Sequence, residues 1–209
     1  MRERTDSLPL EVPVFPLPNA ILYPGVVLPL YIFEERYKLM IDRALDSNRM
    51  LAISYLKKGA RGTLHPSMVC GLGEIIRVEE LGNGEKNIML KGISRVALRE
   101  VKQQIPYLQA TFQPLDEIRQ DGPETENSRR EIALLAQQLV FVLDLKDANR
   151  WMNLLGVMED PGFLADFVAF YFLKDDALKQ DLLETLDIRI RLNRVRVVLE
   201  KTIGKMESR

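Results

Sequence analysis

The spacing of apolar residues changes once along the chain, and no other sequence feature constrains the fold as strongly. Up to about residue 115, apolar residues alternate with polar ones or form short β-prone runs, and both patterns indicate strands. Further along they recur every three or four residues, which indicates helices. The intervening segment is polar and rich in turn-forming residues. The sequence therefore predicts an α+β protein with a β-rich subdomain at 8–116, a linker at 117–127 and a helical subdomain at 128–205.

The β-rich region should contain one helix among its strands, because apolar side chains in segment 34–45 recur at helical spacing. Segment 26–33 is apolar and β-prone, but Pro29 removes an amide donor, so this segment should be an edge strand or contain a break. Two longer strands should meet at Gly82-Asn83-Gly84, since Asn-Gly between β-prone runs is typical of a hairpin. A first short strand is indicated by the alternating residues Leu10, Val12 and Val14. Together these segments predict a mostly antiparallel, closed or half-closed β-barrel with one inserted helix.

Two local signals predict helix starts in the C-terminal region. Ser128 and Glu131 have the spacing of a capping box, in which the hydroxyl and the carboxylate each satisfy a free backbone amide. Asp160 followed by Pro161 is typical of an N-cap and a first helical residue. Further helices are predicted at about 148–157, from 175 or 176, and at 187–202.

The last predicted helix has apolar residues on two sides. One face carries Ile188, Leu192, Val195 and Leu199, and the nearly opposite side carries Ile190 and Val197. A helix that is covered on one face normally has a polar second face. This helix therefore either packs on two sides, with the β-rich half as the favoured neighbour, or offers a small apolar strip to a partner. The first face is flanked by arginines that do not form a line and that we expect to be solvated: Arg189, Arg191, Arg194 and Arg196.

The sequence contains no motif that points to catalysis or to a bound cofactor. With one histidine, His65, and one cysteine, Cys70, neither a disulfide within the chain nor a zinc site of the usual kind is expected. No P-loop and no complete dinucleotide fingerprint occurs. The net charge of −1 gives no general attraction to nucleic acid. We therefore predict a protein with no catalytic residues, no metal, no cofactor and no nucleic-acid partner.

Signals for export or membrane insertion are also missing from the sequence. Residues 1–7 are polar and charged, unlike a secretory signal. The longest apolar runs, at 26–33 and 132–145, are too short or too interrupted to cross a bilayer. The single cysteine fits a reducing compartment. These features predict a cytoplasmic protein without a membrane partner.

Three blocks of sequence form a recognisable pattern. The first block comprises Val14-Phe15-Pro16-Leu17, Leu22-Tyr23-Pro24-Gly25, Leu28-Pro29-Leu30 and Ile32-Phe33-Glu34-Glu35-Arg36-Tyr37. The second comprises segments 71–76, 82–84 and 88–95, and the third comprises segments 164–169 and 178–184 followed by Arg191-Leu192. In this order they resemble the N-terminal substrate-binding domain of Lon proteases, most closely its stand-alone bacterial form, over roughly residues 8 to 200.

The resemblance implies a PUA-like β-barrel followed by a helical bundle, and a role in recognising unfolded polypeptides or a protein partner. A full Lon protease would continue into an ATPase ring and a Ser-Lys peptidase, and we expect neither here because the sequence ends at Arg209. An edge strand broken by proline can accept an extended peptide as an added strand. The candidate binding residues are Pro24, Gly25, Leu28, Tyr31, Phe33, Arg36, Tyr37, Ile190 and Val197.

Two other functions stay open as alternatives. Some PUA-like barrels bind RNA, and the residues that would form such a patch here are Lys86, Lys91 and Arg95. An undetected hydrolase would need a pocket of mutually hydrogen-bonded serine, lysine or carboxylate groups. The near-neutral charge disfavours the first alternative, and the missing motifs disfavour the second. The oligomeric state is left open.

Overall fold

The computed structural model describes residues 11–59 and 62–207. The sequence-based expectations for residues 1–10, including Leu10 and the start of the β-rich subdomain at residue 8, lie outside the described residues. The chain divides into two compact units, of which the first ends at Asp116 and the second begins at Glu117. They are called the β unit and the helical unit below.

The β unit has seven strands and one α-helix among the described residues. The strands are β1 (Glu11–Leu17), β2 (Val27–Ile32), β3 (Met50–Lys58), β4 (Leu64–Pro66), β5 (Val69–Glu80), β6 (Lys86–Gln103) and β7 (Leu108–Leu115). The helix α1 (Glu35–Leu45) lies between β2 and β3, and a short 3₁₀ turn (Gly82–Gly84) joins β5 to β6. The predicted inserted helix and the predicted hairpin are both confirmed.

Five of these strands close into a barrel in the order β1-β7-β6-β5-β3, because β3 pairs with β1 in parallel. The other neighbours in this ring are antiparallel. Strand β4 adds to β3, and β2 adds to the first part of β6. The structure therefore confirms the predicted α+β class and the mostly antiparallel closed sheet.

Two apolar clusters fill the β unit. One lies around the barrel strands and contains the buried thiol of Cys70, so this cysteine acts as a small apolar side chain. The other joins the buried face of α1 to side chains from β2, β5 and β6. Because α1 covers one face of these three strands, their other face is left for different contacts.

The helical unit consists of α2 (Pro123–Val142), α3 (Ala148–Gly156), α4 (Pro161–Phe172), α5 (Asp176–Glu184) and α6 (Ile188–Glu207). Asp160 caps α4 as predicted, since its carboxylate accepts a hydrogen bond from the backbone of Phe163 over 2.8 Å. Asp175 caps α5 in the same way through Leu178 over 3.1 Å. The four residues predicted for the covered face of α6 are all buried.

Two predictions for the helical unit are wrong. Helix α2 begins at Pro123, within the predicted linker, and Ser128 lies inside the helix, where its hydroxyl donates to the carbonyl of Glu124 rather than forming a capping box with Glu131. Proline at the first helical position and acidic residues in the first turn suit this earlier start. Arg191 is fully buried rather than solvated, because it forms ion pairs with Asp166 and Glu117.

Candidate functional site

Strand β2 forms a free edge of the β unit. It pairs with β6 from Val27 opposite Lys91 to Ile32 opposite Lys86, and it has no second partner strand among the described residues. Pro29 lies in this strand, as expected for an edge position. A free edge presents backbone N–H and C=O groups with which a further strand can pair.

A tight turn holds the beginning of β2 in place. The amide of Val26 donates to the carbonyl of Tyr23 over 3.3 Å, and Gly25 has a φ of 80°, which glycine adopts without strain. The amide of Gly25 donates to the carbonyl of Gly92 over 2.9 Å, and the amide of Gly92 donates to the carbonyl of Val26 over 2.8 Å. These bonds attach the turn to β6 and set where β2 begins to pair.

The face of β2, β6 and β5 that turns away from α1 carries a groove of about 400 Å³. Strand register places two rows of side chains across it. One row runs through Pro29, Met89 and Arg77, and the other through Tyr31, Asn87 and Glu79. The groove thus combines apolar surface with one basic and one acidic side chain.

An irregularity in β5 decides which of its side chains reach the groove. Ile75 lies opposite Leu90, but the next pair is Arg77 with Met89, so Ile76 is an extra residue in the strand. The side chain of Ile75 is fully buried in the apolar cluster beneath α1, whereas Arg77 lines the groove. The bulge also leaves Ile76 about half exposed.

Two aromatic side chains stand beside the groove at the end of β2. Tyr31 and Phe33 are 52% and 56% exposed, and their ring centroids are 5.6 Å apart. The hydroxyl of Tyr31 donates to the carboxylate of Glu85, and this hydrogen bond raises the pKa of the Tyr31 hydroxyl. Exposed aromatic rings held in one orientation are typical of surfaces that bind other molecules.

Ionic contacts fix the strands on α1 behind the groove. Lys38 donates to the carbonyl of Asn83 in the β5–β6 turn over 2.8 Å. Lys86 lies 3.2 Å from both Asp42 and Glu80. Burial alone would lower the pKa of Lys86, but its hydrogen bonds to these two carboxylates raise the pKa overall. These contacts hold the β5–β6 hairpin against α1, so the strands that line the groove are supported from behind.

The structure brings together only part of the predicted set of binding residues. Tyr31 and Phe33 are neighbours at the groove. Arg36 donates to the carboxylate of Glu34 over 2.9 Å. Tyr37 is buried, packs against Phe15 with ring centroids 4.3 Å apart, and has a raised pKa because of its burial. It therefore supports the site from inside and does not line it.

The other predicted residues lie elsewhere. Pro24 and Gly25 shape the turn at the far end of β2, and Leu28 packs against the apolar cluster beneath α1. Ile190 and Val197 belong to the helical unit, where they are 53% and 48% exposed. Both side chains are about half exposed, and a role for them in binding a partner stays a prediction.

Sequence reasoning missed the groove residues that β5 and β6 contribute: Arg77, Glu79, Asn87 and Met89. The sequence did contain a signal for Met89. Ile88, Met89 and Leu90 form an apolar run, and in a strand only every second side chain faces the core, so either Met89 or its two neighbours must face outward. The register that sets Met89 opposite Pro29 is not visible from either strand alone.

Within the described part of the chain, no group of three or more histidine, cysteine, aspartate or glutamate side chains could hold a metal ion. None of the helices described there is both long and apolar enough to traverse a bilayer.

Comparison with known proteins identifies the family. The model of the ATP-dependent protease La (LON) substrate-binding domain matches residues 11–201. The chain belongs to the Lon substrate-binding domain family. The Lon protease of Desulfosudis oleivorans is 33% identical over 201 residues, which cover 91% of this chain and 24% of that protein. The Lon protease of Dictyoglomus thermophilum is 24% identical over 98% of this chain.

Solved structures agree with this Lon-type fold. The N-terminal domain of a Mycobacterium avium complex Lon protease superposes with a TM-score of 0.75 at 21% identity, covering 91% of this chain and 98% of that one. A Lon N-terminal domain protein from Xanthomonas campestris gives a TM-score of 0.66 at 18% identity. The chain spans about a quarter of the length of the curated Lon proteases that it matches. The match thus covers the substrate-binding part of Lon.

Proposed function

We propose that this Lon substrate-binding domain binds polypeptides at the free edge of β2 and in the adjoining groove. The observation that carries the proposal is the combination of an edge strand, a supported groove and the exposed pair Tyr31 and Phe33 on one side of the β unit. The family description, substrate-binding domain, supports the same assignment.

The geometry suits chains of many different sequences. Backbone pairing along β2 would hold an extended segment without reading its side chains. Alternate side chains of that segment would then point toward the groove face, where Met89 and Tyr31 provide apolar contact. Arg77 and Glu79 on the same face offer a donor and an acceptor to polar groups. Recognition of this kind needs no catalytic group, and the protein acts as a binding module.

Binding can be tested with a labelled, permanently unfolded protein titrated against the chain and followed by fluorescence anisotropy. We expect saturable binding, and the absence of saturation up to high micromolar concentrations would contradict the proposal.

Backbone methylation separates strand addition from side-chain binding. A short peptide that binds is compared with two versions of itself, methylated on alternate backbone nitrogens in one register or in the other. One register should lose most of its affinity, since an added strand pairs through every second amide. Equal binding by all three peptides would exclude strand addition at β2.

The burial of two of the three predicted basic residues disfavours the RNA-binding alternative. Of the three residues that would form its basic patch, Lys86 and Arg95 are buried, and only Lys91 is exposed. A structured RNA is nevertheless the appropriate competitor in the anisotropy assay. Displacement of the unfolded protein by RNA, weakening with added salt, would favour this alternative over polypeptide binding.

A further inference from the structure

A second pocket lies in the helical unit, between α3 and α4. Its volume is about 340 Å³, and it is lined by Asp147, Arg150, Trp151, Leu154, Phe167 and Tyr171. A cavity of this size exceeds what a small aliphatic side chain fills, and the two charged residues in its lining are both exposed.

Aromatic rings form the walls of this pocket. Trp151 meets Tyr171 nearly edge to face, with ring centroids 5.4 Å apart, and lies 6.0 Å from Phe167. Phe167 and Tyr171 are 4.5 Å apart and complete the wall on α4. Behind them, the buried ring of Phe172 contacts Trp151 at 5.5 Å and limits its movement. The rings are therefore held in place before any ligand arrives.

Four polar side chains around the pocket have no hydrogen-bond or ion-pair partner among the described residues. Among the described residues, the side chains of Asp147 and Arg150 form no hydrogen bond or ion pair, and Asp147 does not cap α3 although it occupies the N-cap position. The indole N–H of Trp151 and the hydroxyl of Tyr171 likewise have no hydrogen-bond partner in the described residues. An apolar cleft surrounded by free donors and one free acceptor has the composition of a ligand site.

We propose that this pocket binds a large aromatic side chain from an extended polypeptide. The ring of the ligand would pack against Trp151 and Tyr171, and the peptide groups on either side of it would donate to Asp147 and accept from Arg150. The site lies in the helical unit, so binding at this pocket can be tested independently of binding at the β2 groove.

The charges at the pocket entrance suit a ligand without net charge. Asp147 and Arg150 together give the entrance no net charge, so a single ion would meet one attractive and one repulsive group, whereas a neutral peptide segment can use both. Segment 144–150 contains two acidic and two basic residues, so it provides no positive track for a nucleic-acid backbone. Neutral backbone flanking an aromatic ring is the chemistry that matches the complete set of free groups.

Trp151 is the only tryptophan in the chain, so its fluorescence reports directly on this pocket. The probe is a flexible, capped glycine- and serine-rich peptide with one central phenylalanine, and the matched control peptide has alanine in its place. We expect a saturable change in Trp151 emission with the phenylalanine peptide and none with the alanine peptide. The same response to both peptides, or a response to single-stranded oligouridine alone, would overturn the proposal.

A pair of variants on α3 and its end provides the second test. Leu154 lines the pocket and is 38% exposed, whereas Val157 is 72% exposed and does not line it. Leu154→Glu should weaken phenylalanine-peptide binding by about tenfold or more, because it places a charge in the apolar wall. Val157→Glu should leave the affinity within about twofold. Equal losses in the two variants would contradict the assignment.

A third variant tests the polar edge while keeping the shape of the pocket. Asp147 has a φ of 59°, a conformation that asparagine also tolerates, so Asp147→Asn should preserve the local backbone. It should weaken binding several-fold, since the charged acceptor is lost. Circular dichroism of each variant confirms folding. Unchanged affinity in Asp147→Asn would contradict the proposed contact between Asp147 and the peptide backbone.

Discussion

At the scale of single residues, two glycines explain how the turn before β2 can lie so close to the barrel. A methyl group on Gly92 would lie 2.0 Å from the carbonyl oxygen of Tyr23, and one on Gly71 would lie 1.8 Å from that of Leu22. Both contacts are to backbone atoms, which cannot move aside as a flexible side chain can. The 22–25 turn therefore requires glycine beneath it, although neither glycine has an unusual φ.

Gly92→Ala should lower the free energy of unfolding by about 1–3 kcal/mol, because the turn and β6 must separate to admit the methyl group. Urea denaturation followed by circular dichroism measures the loss. Gly82→Ala is the matched control, since a methyl group there meets nothing within 4 Å. Comparable stability of the two variants would show that the turn can shift at no cost.

Arg191 is a second residue whose role depends entirely on its surroundings. Its guanidinium contacts Asp166 on α4 at 3.1 Å, binds Glu117, and donates to the carbonyl of Thr185 over 2.7 Å. Asp166 is itself almost fully buried. Removing the arginine would leave that carboxylate buried without its main counter-charge.

Arg191→Met should therefore cost about 3–5 kcal/mol of stability. Arg194→Met, on the exposed side of the same helix, should change stability by about 0.5 kcal/mol or less. The double variant Arg191→Met with Asp166→Leu should recover part of the loss, because no unpaired charge is then buried. Thermal and urea unfolding of the three variants test this, and a double variant no more stable than Arg191→Met would contradict the explanation.

Asp160 links the stability of the helical unit to pH. Burial alone would raise its pKa, but its bonds to Arg119 and to the backbone of Phe163 lower the pKa below the ordinary 3.8. A carboxyl group with a lowered pKa in the folded state stabilises the protein at higher pH, and this stabilisation is lost as pH falls through the folded-state pKa.

Asp160→Asn keeps a capping oxygen but removes the charge that faces Arg119. At pH 7 the variant should be less stable by up to about 1 kcal/mol, since the pair is partly exposed and screened. The difference should shrink toward zero as the pH is lowered below 3.8. Melting temperatures of both proteins across this range provide the measurement, and a difference independent of pH would exclude the ionic contribution.

At the scale of elements, β6 connects the parts of the β unit. Its first half pairs with β2 and β5, and its second half pairs with β5 and β7. Met89 and Val101 are exposed apolar residues on this one strand, the first in the groove and the second outside its lining. They form a matched pair for locating the binding surface.

Met89→Glu should reduce the affinity for an unfolded polypeptide by about tenfold, since it places a charge at the centre of the groove. Val101→Glu should have little effect on binding. Anisotropy titrations compare the two variants, and thermal melts confirm that both are folded. Equal affinities of the two variants would show that the polypeptide does not bind in the groove at β2 and β6.

At the scale of the whole molecule, the first residues after the β unit belong to the helical unit. Glu117 binds Arg191, and Ile118 forms a backbone bridge with Asp187. Thr125, in the first turns of α2, is buried. A helical fragment should therefore need all of these residues, including those predicted from sequence to be a linker.

We expect a fragment of residues 117–209 to fold cooperatively and a fragment of residues 128–209 to unfold at a lower urea concentration or not to fold at all. The shorter fragment lacks Glu117, which is one of the two acidic partners of the buried Arg191, and the start of α2. Urea titrations followed by circular dichroism at 222 nm distinguish the two. Equal midpoints would mean that segment 117–127 contributes nothing to the unit.

Local sequence signals correctly indicated features that depend on a few neighbouring residues. The spacing around Tyr37 and Met40 predicted α1, the Asn83-Gly84 turn predicted the β5–β6 hairpin, and Asp160-Pro161 predicted the start of α4. Backbone conformation and the direction of alternate side chains are set within a few residues, so the sequence determines them by itself. The family resemblance was visible for the same reason, because it rests on short blocks of turns and strands.

Only the tertiary structure decided which side chains meet. The groove depends on the register of three strands and on one extra residue, Ile76, because a slip of one position would turn Met89 and Arg77 toward the core. The burial of Arg191 depends on Asp166 and Glu117, which lie 25 and 74 residues away along the chain. Contacts between distant segments are decided by how the elements pack, and no local pattern in this sequence specifies that packing.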